Sequence, residues 1–232
     1  MQAIILVGGF GTRLKSVVTD LPKPMAPIAD QPFLAHLLNY LGRQGVTRVV
    51  FPVHYLREKI EHYFKDKYNQ IKIDYVVEDE PLGTGGAIVN AIRAFDIKDP
   101  VFVLNGDTFV KLDYLAMNAK HHESQAKITM ALRHVDDCGR YGSVTVRDHH
   151  AVQFQEKGKS GAGYINAGVY LINPELFAKY TFPKKFSFET EFLFPYMPLI
   201  KPNAFIAEDY FIDIGIPEDY ARAQQELVGV LG

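Results

Sequence analysis

The sequence is short of cysteine, of net charge and of long apolar runs. Its 232 residues contain a single cysteine, Cys138, which excludes a disulfide within the chain and is typical of the reducing cytosol. Lys and Arg number 25 against 27 Asp and Glu, and no basic cluster predicts a nucleic-acid partner. No run approaches the roughly 20 apolar residues of a membrane span, so we expect no membrane partner and a cytoplasmic protein.

Strand and helix patterns alternate over the first half of the chain. Apolar, β-branched runs predict strands at 3–7, 48–53, 71–77 and 101–104. Apolar residues at helical spacing predict helices at 33–41, 57–64 and 85–95. This order is typical of βαβ units with a parallel sheet and right-handed crossovers.

The pattern changes after about residue 126. Strands are predicted at 127–135, 142–147, 151–156, 163–172 and 204–214, and helices at 174–180, 189–196 and 217–228. We therefore expect one domain over 1–232, with a nucleotide-binding half at about 1–125 and a second-substrate half at about 126–232. The paired histidines at 121–122 and 149–150 lack metal-ligand spacing and predict solvated turns.

A glycine-rich turn, GGFGTRL, follows the first predicted strand. Gly9 and Gly11 match two places of the dinucleotide fingerprint, but Leu14 occupies the third, and no Walker Gly-Lys-Ser/Thr follows. Such a backbone can approach a phosphate closely, and Arg13 offers a planar charged fork. A tight turn with a solvated arginine explains the pattern equally well.

Lys23 lies between Pro22 and Pro24. Two fixed φ angles restrict where this lysine points, which favours a phosphate ligand over a mobile surface side chain.

Taken together, the motifs resemble those of the sugar-1-phosphate nucleotidyltransferase family. They are GGFGTRL, PKPM, EPLGTGG, LNGDT, the Glu156-Lys157 pair, NAG at 166–168 and FIDIG at 211–215. They follow the family order from residue 1 to about 220. The resemblance implies a Rossmann-like α/β three-layer sandwich, with a mainly parallel central sheet and an added smaller mixed or antiparallel sheet. It also implies transfer of a nucleotide to a sugar 1-phosphate, release of pyrophosphate and use of Mg²⁺.

The resemblance also implies a role for individual residues. Arg13, Lys23 and Asp107 would be catalytic, and Asp107 and Asp213 would hold Mg²⁺. The nucleotide would contact Leu6, Gly8, Gly9, Gly11, Thr12, Arg13, Lys23, Glu80, Gly83, Thr84 and Gly85. The sugar phosphate would contact Gly106, Tyr141, Gly142, Glu156, Lys157, Asn166 and Gly168. Without the resemblance, Asp107 is a turn residue, Thr84 a helix cap and Asp213 a paired carboxylate.

The substrates that the resemblance implies are GTP and a sugar 1-phosphate. The segments PKPMAPI and YFIDIGIPEDY most closely resemble those of members that act on a manno-heptose 1-phosphate. Glu80 could accept from guanine N1–H and N2–H₂, or could fix its own loop. A mannose-1-phosphate guanylyltransferase, a uridylyltransferase and a non-catalytic nucleotide-sugar-binding regulator are the alternatives, with a dehydrogenase disfavoured by the missing third glycine. We expect a monomer or a small homo-oligomer.

Overall fold

The chain folds around a ten-stranded sheet, in a computed structural model that describes residues 1–8, 14, 18, 20–155, 158 and 160–231. In chain order the strands are β1 (Gln2–Leu6), β2 (Pro27–Ile28), β3 (Gln31–Pro32), β4 (Arg48–Val53), β5 (Lys67–Tyr68), β6 (Ile71–Val77), β7 (Val101–Asn105), β8 (Thr108–Val110), β9 (Ile128–Val135), β10 (Ser143–Arg147), β11 (His150–Gln155), β12 (Gly163–Ile172), β13 (Asn203–Ala207) and β14 (Phe211–Asp213). The helices are α1 (Phe33–Arg43), α2 (Arg57–Phe64), α3 (Gly83–Ala94), α4 (Tyr114–Glu123), α5 (Phe194–Ile200) and α6 (Pro217–Leu231).

Four parallel strands run side by side in the order β7-β1-β4-β6. Ile4 of β1 is in register with Val50 of β4 and with Val103 of β7. Parallel strands end at the same edge of a sheet, which is where open α/β sheets bind ligands. The carboxyl ends of β1, β4 and β7 therefore mark the edge at which to look for a site.

Five strands of the second half extend this sheet, where we expected an added smaller one, and β14 alone pairs with β8 in a separate two-stranded antiparallel sheet among the described residues. The full order is β10-β11-β13-β9-β12-β7-β1-β4-β6-β5, with β12 antiparallel to both β7 and β9. Val169 of β12 pairs with Leu104, and Tyr170 pairs with Met130. β12 has ten residues, so it can join the two halves edge to edge. The sheet is parallel at this core and mixed overall.

Helices cover both faces of the sheet. The adjacent residues Ile4 and Ile5 are both fully buried, and they belong to two different apolar clusters because side chains alternate along a strand. One cluster contains Phe33 of α1 and Leu227 of α6, and the other contains Ile88 of α3. The three layers expected from the sequence are therefore present.

Several predicted elements differ from those observed. The strand predicted at 204–214 is divided into β13 and β14. The helix predicted at 174–180 is a 3₁₀ helix over Pro174–Lys179, and that at 189–196 begins as a π-helical turn, Phe188–Leu193, which leads into α5.

The helix α4 was not predicted. Asp113 caps it by accepting a hydrogen bond from the Ala116 amide at 2.8 Å. His121 lies in this helix with only 1% of its surface exposed, and His122 is exposed beside it. The solvated turn expected at 121–122 is therefore wrong.

Within the described part of the chain, no helix combines the length and apolar character that crossing a bilayer requires.

Candidate active site

Two aspartates from distant parts of the sequence meet beyond the carboxyl end of β7. Asp107 directly precedes β8, and β8 pairs antiparallel with β14, which places Asp213 opposite Thr108. The Ile214 amide donates to the Asp107 carbonyl at 3.0 Å, which extends the ladder past both aspartates. The two predicted metal ligands thus lie together at the expected edge of the sheet.

Lys23 lies beside these aspartates. It begins a 3₁₀ turn, Lys23–Met25, whose proline and methionine are buried. Its ammonium forms an ion pair with Asp107 Oδ2, and only 12% of the Lys23 side chain is exposed. The stiff Pro-Lys-Pro loop thus directs the cation into the site and away from solvent.

The backbone next to Asp213 is shaped by Gly215. The Gly215 amide donates to Asp213 Oδ1 at 2.7 Å. A β-carbon at position 215 would lie 2.8 Å from Asp213 Oδ1 and 3.1 Å from Lys23 Nζ. A larger residue there would displace both charged groups, so the close approach requires glycine.

The donor set at this point is suited to Mg²⁺. Burial, and then the nearby charge of Asp107, raise the pKa of the Asp213 carboxyl above its ordinary value, against the opposing effect of Lys23. Two carboxylates that repel each other are stabilised by a divalent cation, and Mg²⁺ takes hard oxygen ligands. It commonly uses one or two carboxylates and completes its shell with phosphate oxygens and water, so two aspartates are sufficient.

A separate cavity of about 150 Å³ lies beside the carboxyl ends of β1 and β4, against the start of α3. Four predicted nucleotide residues line it, namely Leu6, Gly8, Gly83 and Thr84. Apolar and backbone walls of this kind suit the flat face of a base, with few polar groups to fix its orientation.

Glu78 is the carboxylate in the wall of this cavity. It is 8% exposed, and its Oε2 accepts from the Leu82 amide at 3.2 Å. Its Oε1 is buried and accepts no hydrogen bond from any described residue. Burial raises the pKa of Glu78, and the Leu82 amide and His54 oppose that shift. A carboxylate in the wall of a mostly apolar cavity, with one oxygen that lacks a donor among the described residues, points to a ligand with a donor.

Glu80 does not occupy the position that we expected. Its side chain is 63% exposed and forms an ion pair with Lys184 at 2.6 Å, outside the cavity lining. That ion pair lowers the pKa of Glu80. This placement corrects the prediction of Glu80 as the base-reading carboxylate, because the carboxylate that lines the cavity is Glu78.

The glycines of the same loop pack against the chain at 184–188. The Gly85 amide donates to the Phe186 carbonyl at 3.0 Å, and a β-carbon at Gly85 would lie 2.2 Å from the Phe186 ring. A β-carbon at Gly83 would lie 2.5 Å from the Phe186 carbonyl oxygen. Gly83 and Gly85 therefore allow close packing of this segment, and Gly85 does not line the cavity.

The predicted sugar-side residues fall into two groups. Gly106 directly precedes Asp107, and its amide donates to the Leu6 carbonyl at 3.0 Å. Gly168 lies beside Asn105, because a Gly168 β-carbon would lie 2.6 Å from Asn105 Nδ2. Gly168 also has a φ of +69°, which favours glycine. Asn166 precedes this turn, and its Oδ1 accepts from the Gly168 amide at 3.2 Å.

Tyr141 and Gly142 lie in the β9–β10 loop, near the start of α6. Tyr141 lines a wider cavity of about 1000 Å³ between β9, β13 and α6. The guanidinium of Arg140 lies over the Tyr141 ring at 4.9 Å and forms an ion pair with Asp219 in the first turn of α6. This contact ties the loop to the helix that follows Asp213.

Other predicted residues lie outside those that the structure describes. They are Gly9, Gly11, Thr12, Arg13, Glu156 and Lys157. Their roles stay predictions.

Sequence reasoning missed Glu78 and Glu189. The sequence alone shows Glu78 only as one of three acidic residues around Asp79. Glu189 accepts hydrogen bonds from Thr84, 105 residues earlier in the chain, and from Tyr170, 19 residues earlier. No local sequence pattern indicates these contacts.

Comparisons with known proteins identify the family of the chain. A family model described as nucleotidyl transferase matches residues 2–229. The chain is 47% identical over 227 residues to a D-glycero-alpha-D-manno-heptose 1-phosphate guanylyltransferase of Aneurinibacillus thermoaerophilus, and the aligned region covers 98% of each chain. It is 48% identical over 221 residues to a protein of the same name from Campylobacter jejuni, which covers 95% of this chain and 97% of the relative.

Among solved structures, HddC from Yersinia pseudotuberculosis is similar to this chain with a TM-score of 0.86 at 41% identity. The similarity covers 97% of this chain and 98% of HddC. A further structure of HddC, complexed with GMP-PN, has a TM-score of 0.84. A family match over nearly all residues, together with two relatives close to half identical, shows that the chain belongs to the nucleotidyl transferase family.

Proposed function

We propose that the chain is a sugar-1-phosphate guanylyltransferase that couples D-glycero-α-D-manno-heptose 1-phosphate with GTP. The products are GDP-heptose and pyrophosphate, for use in a surface polysaccharide or glycoprotein. The observation that carries the reaction class is the cluster of Lys23, Asp107 and Asp213 at the carboxyl edge of the sheet, beside a cavity with one acidic wall. The choice of sugar is supported by the names of the two relatives that match nearly the whole chain.

The chemistry demands little covalent assistance from the protein. A phosphate oxygen of the sugar phosphate attacks the α-phosphorus of GTP, and the bond to the β-phosphate oxygen breaks as pyrophosphate leaves. The nucleophile is already ionised at neutral pH, so no side chain must remove a proton from it. The protein must hold two anions together in line and neutralise the charge of the leaving group.

Lys23 is placed for this neutralisation. Its ammonium is mostly buried and its direction is set by the Asp107 carboxylate, so it presents a fixed positive charge at the strand edge. Asp107 and Asp213 would hold Mg²⁺, which when bound supplies positive charge to phosphate oxygens. Arg13 would neutralise the β- and γ-phosphates, and Lys157 the phosphate of the sugar phosphate.

The identity of the base is supported by Glu78. Guanine presents two donors on one edge, N1–H and N2–H₂, and a carboxylate can accept from both. Uracil presents one donor between two carbonyl acceptors, which a carboxylate would face unfavourably. The carboxylate of Glu78 in the wall of the base cavity therefore favours GTP over UTP.

The sugar phosphate would lie between β12 and the β9–β10 loop. Asn166 accepts from the Gly168 amide, and Gly168 packs against Asn105, while Gly142 and Tyr141 belong to the loop that Arg140 ties to α6. We propose that residues 1–125 bind the nucleotide and that residues 126–232 bind the sugar phosphate. We also propose a cytoplasmic location, consistent with a single cysteine and with a GTP substrate.

A substrate matrix tests this function. Each of GTP, ITP, ATP, UTP and dTTP is combined with heptose, mannose and glucose 1-phosphates in Mg²⁺, and pyrophosphate release is measured. The expected result is the highest kcat/KM with GTP and the heptose 1-phosphate. Mannose 1-phosphate is a necessary arm, because a mannose-1-phosphate guanylyltransferase of Mycobacterium tuberculosis is 33% identical over 98% of this chain. No pyrophosphate with any pair would reject the enzyme assignment.

A further inference from the structure

Thr84, in the predicted nucleotide loop, is hydrogen-bonded to a carboxylate from the other half of the chain. Its hydroxyl donates to Glu189 Oε2 at 2.8 Å and accepts from the Phe188 amide at 2.8 Å. Thr84 lines the base cavity, whereas Glu189 does not. Glu189 thus holds the first turn of α3 from behind.

The second oxygen of Glu189 reaches toward the sugar side. The Tyr170 hydroxyl donates to Glu189 Oε1 at 3.3 Å and accepts from the Asn166 side-chain amide at 2.6 Å. The side-chain oxygen of the same residue, Asn166 Oδ1, accepts from the Gly168 amide at 3.2 Å. A continuous chain of hydrogen bonds therefore joins Thr84 to Gly168 through one carboxylate.

Donor counting shows why this residue must be a carboxylate. The hydroxyls of Thr84 and Tyr170 each already accept one N–H, and each therefore has its own proton left to donate. Only a group with two acceptor oxygens can take both protons. A glutamine would offer one oxygen and one NH₂, and would leave one hydroxyl proton without an acceptor.

The surroundings hold this chain of hydrogen bonds in place. The ring of Tyr170 is fully buried and packs edge-on against Phe188 at 5.1 Å. Glu189 itself lies in the π-helical turn Phe188–Leu193, a conformation that often occurs at functional sites. At the far end, the Asn105 side chain packs over Gly168, two residues before Asp107.

On the basis of the proposed function, we infer that Glu189 is a positioning residue that couples GTP binding at the Thr84 loop to sugar-phosphate binding at Asn166 and Gly168. Glu189 touches neither substrate in this arrangement. When the nucleotide orders α3, the carboxylate holds Tyr170 and Asn166 in the orientation that the sugar phosphate needs. By linkage, the sugar phosphate must favour GTP binding by the same factor.

The test measures that factor directly. The dissociation constant of the sugar 1-phosphate is determined by calorimetry with and without a saturating GTP analogue whose α–β bridge cannot be cleaved, in Mg²⁺. We expect the analogue to tighten binding by about 5-fold or more in the wild type, within the usual range of coupling between two sites. In Glu189→Gln this factor should fall close to one.

Two further variants separate coupling from folding. Tyr170→Phe keeps the buried ring and removes only the hydroxyl, so it should also lose the coupling factor. Glu191→Gln is the matched control, because Glu191 lies in the same turn, is exposed and accepts from the Ser187 amide at 2.6 Å. It should keep the wild-type factor, and thermal unfolding of each variant shows whether the fold is retained.

The outcomes are distinct. A wild type in which the two ligands bind independently, or an unchanged factor in both Glu189→Gln and Tyr170→Phe, overturns the coupling role. If both ligands bind but no pyrophosphate forms with any substrate pair, the proposed function fails, and the coupling factor still decides the role of Glu189.

Discussion

The ammonium of Lys23 is ion-paired with the carboxylate of Asp107, and the second aspartate, Asp213, lies across the β8–β14 ladder. Asp107→Asn removes one of two proposed metal ligands and the anion that orients the lysine. We expect kcat to fall by at least about 100-fold, because both charge contributions act on the transferring phosphate. Steady-state pyrophosphate release measures the loss, and circular dichroism should show an unchanged fold.

Asp209→Asn is the matched control for that variant. Asp209 forms an exposed ion pair with Lys111 at 3.1 Å, just before β14. Exposed ion pairs contribute little to the stability of the fold, and this one lies outside the proposed metal site. Activity should therefore stay within about twofold of the wild type. Full activity of Asp107→Asn in Mg²⁺ would reject both the metal and the orienting role.

Substitution of Glu78 should change base choice, and substitution of Glu80 should not. Glu78→Gln replaces one acceptor by a donor at the wall of the base cavity, and we expect the kcat/KM for GTP to fall by about tenfold or more. ITP lacks the N2 amino group, so the wild type should prefer GTP to ITP, and the variant should lose much of that preference.

Glu80→Gln changes only an exposed ion pair with Lys184, and it should leave the GTP-to-ITP ratio unchanged. Equal use of GTP and ITP by the wild type would show that no carboxylate reads N2. A change of the ratio in Glu80→Gln alone would return the base-reading role to Glu80.

Gly85→Ala should destabilise the nucleotide loop. The added methyl group would lie 2.2 Å from the Phe186 ring, which is 2% exposed and stacked on Phe182 at 4.5 Å. Overpacking of this kind costs about 1–3 kcal/mol in the free energy of unfolding, and the KM for GTP should rise with it. Urea unfolding and kinetics measure the two effects.

For Gly229→Ala, in the exposed part of α6, no described residue outside the adjoining helix backbone lies within 4 Å of the new methyl group. Because alanine favours helices, this control should be neutral or stabilising by up to about 1 kcal/mol. If Gly85→Ala is equally well tolerated, the loop is free to move away from Phe186.

The regular elements with strong patterns were predictable from the sequence. The strands at 48–53, 71–77 and 163–172 and the helix at 57–64 have the predicted bounds. Their apolar residues follow one period over a whole element, so local pattern was sufficient. The pattern of β12 could not indicate that it pairs with β7 on one side and β9 on the other.

The site was predictable only in part, for a related reason. Asp107 follows a strand that ends at the ligand edge, but its neighbour Asp213 is 106 positions away and was chosen by resemblance. Glu78 and Glu80 differ by two positions in an irregular segment, where no strand alternation decides which one faces inward. A lysine 104 residues further along pairs with Glu80 at the surface.

The missed helix α4 shows a weaker local signal. Its buried residues Tyr114, Met117 and His121 have helical spacing, and Asp113 is a good N-cap residue. Because position 121 is a histidine and not an aliphatic residue, the apolar face was too short to recognise. The buried histidine also affects stability.

His121 should make the free energy of unfolding depend on pH. Burial beside Thr129, whose hydroxyl lies 2.8 Å from Nδ1, lowers the pKa of the imidazole below its ordinary value of 6.5. The unfolded chain therefore binds a proton near pH 6.5 that the folded chain does not yet take up. Stability is complete above that pH and should be lost as the pH falls toward the folded pKa, by up to about 1.4 kcal/mol per pH unit.

Urea unfolding at a series of pH values from about 7.5 to about 5 measures this slope, which can be assigned by comparing two variants. His121→Gln removes the titrating group from the core, and the dependence of its unfolding free energy on pH should be flatter than that of the wild type. His122→Gln changes the exposed neighbour in α4 and leaves the buried imidazole of His121 in place, so it should keep the wild-type slope. Equal slopes in the wild type and in His121→Gln would mean that the buried imidazole accepts a proton as readily as the unfolded one.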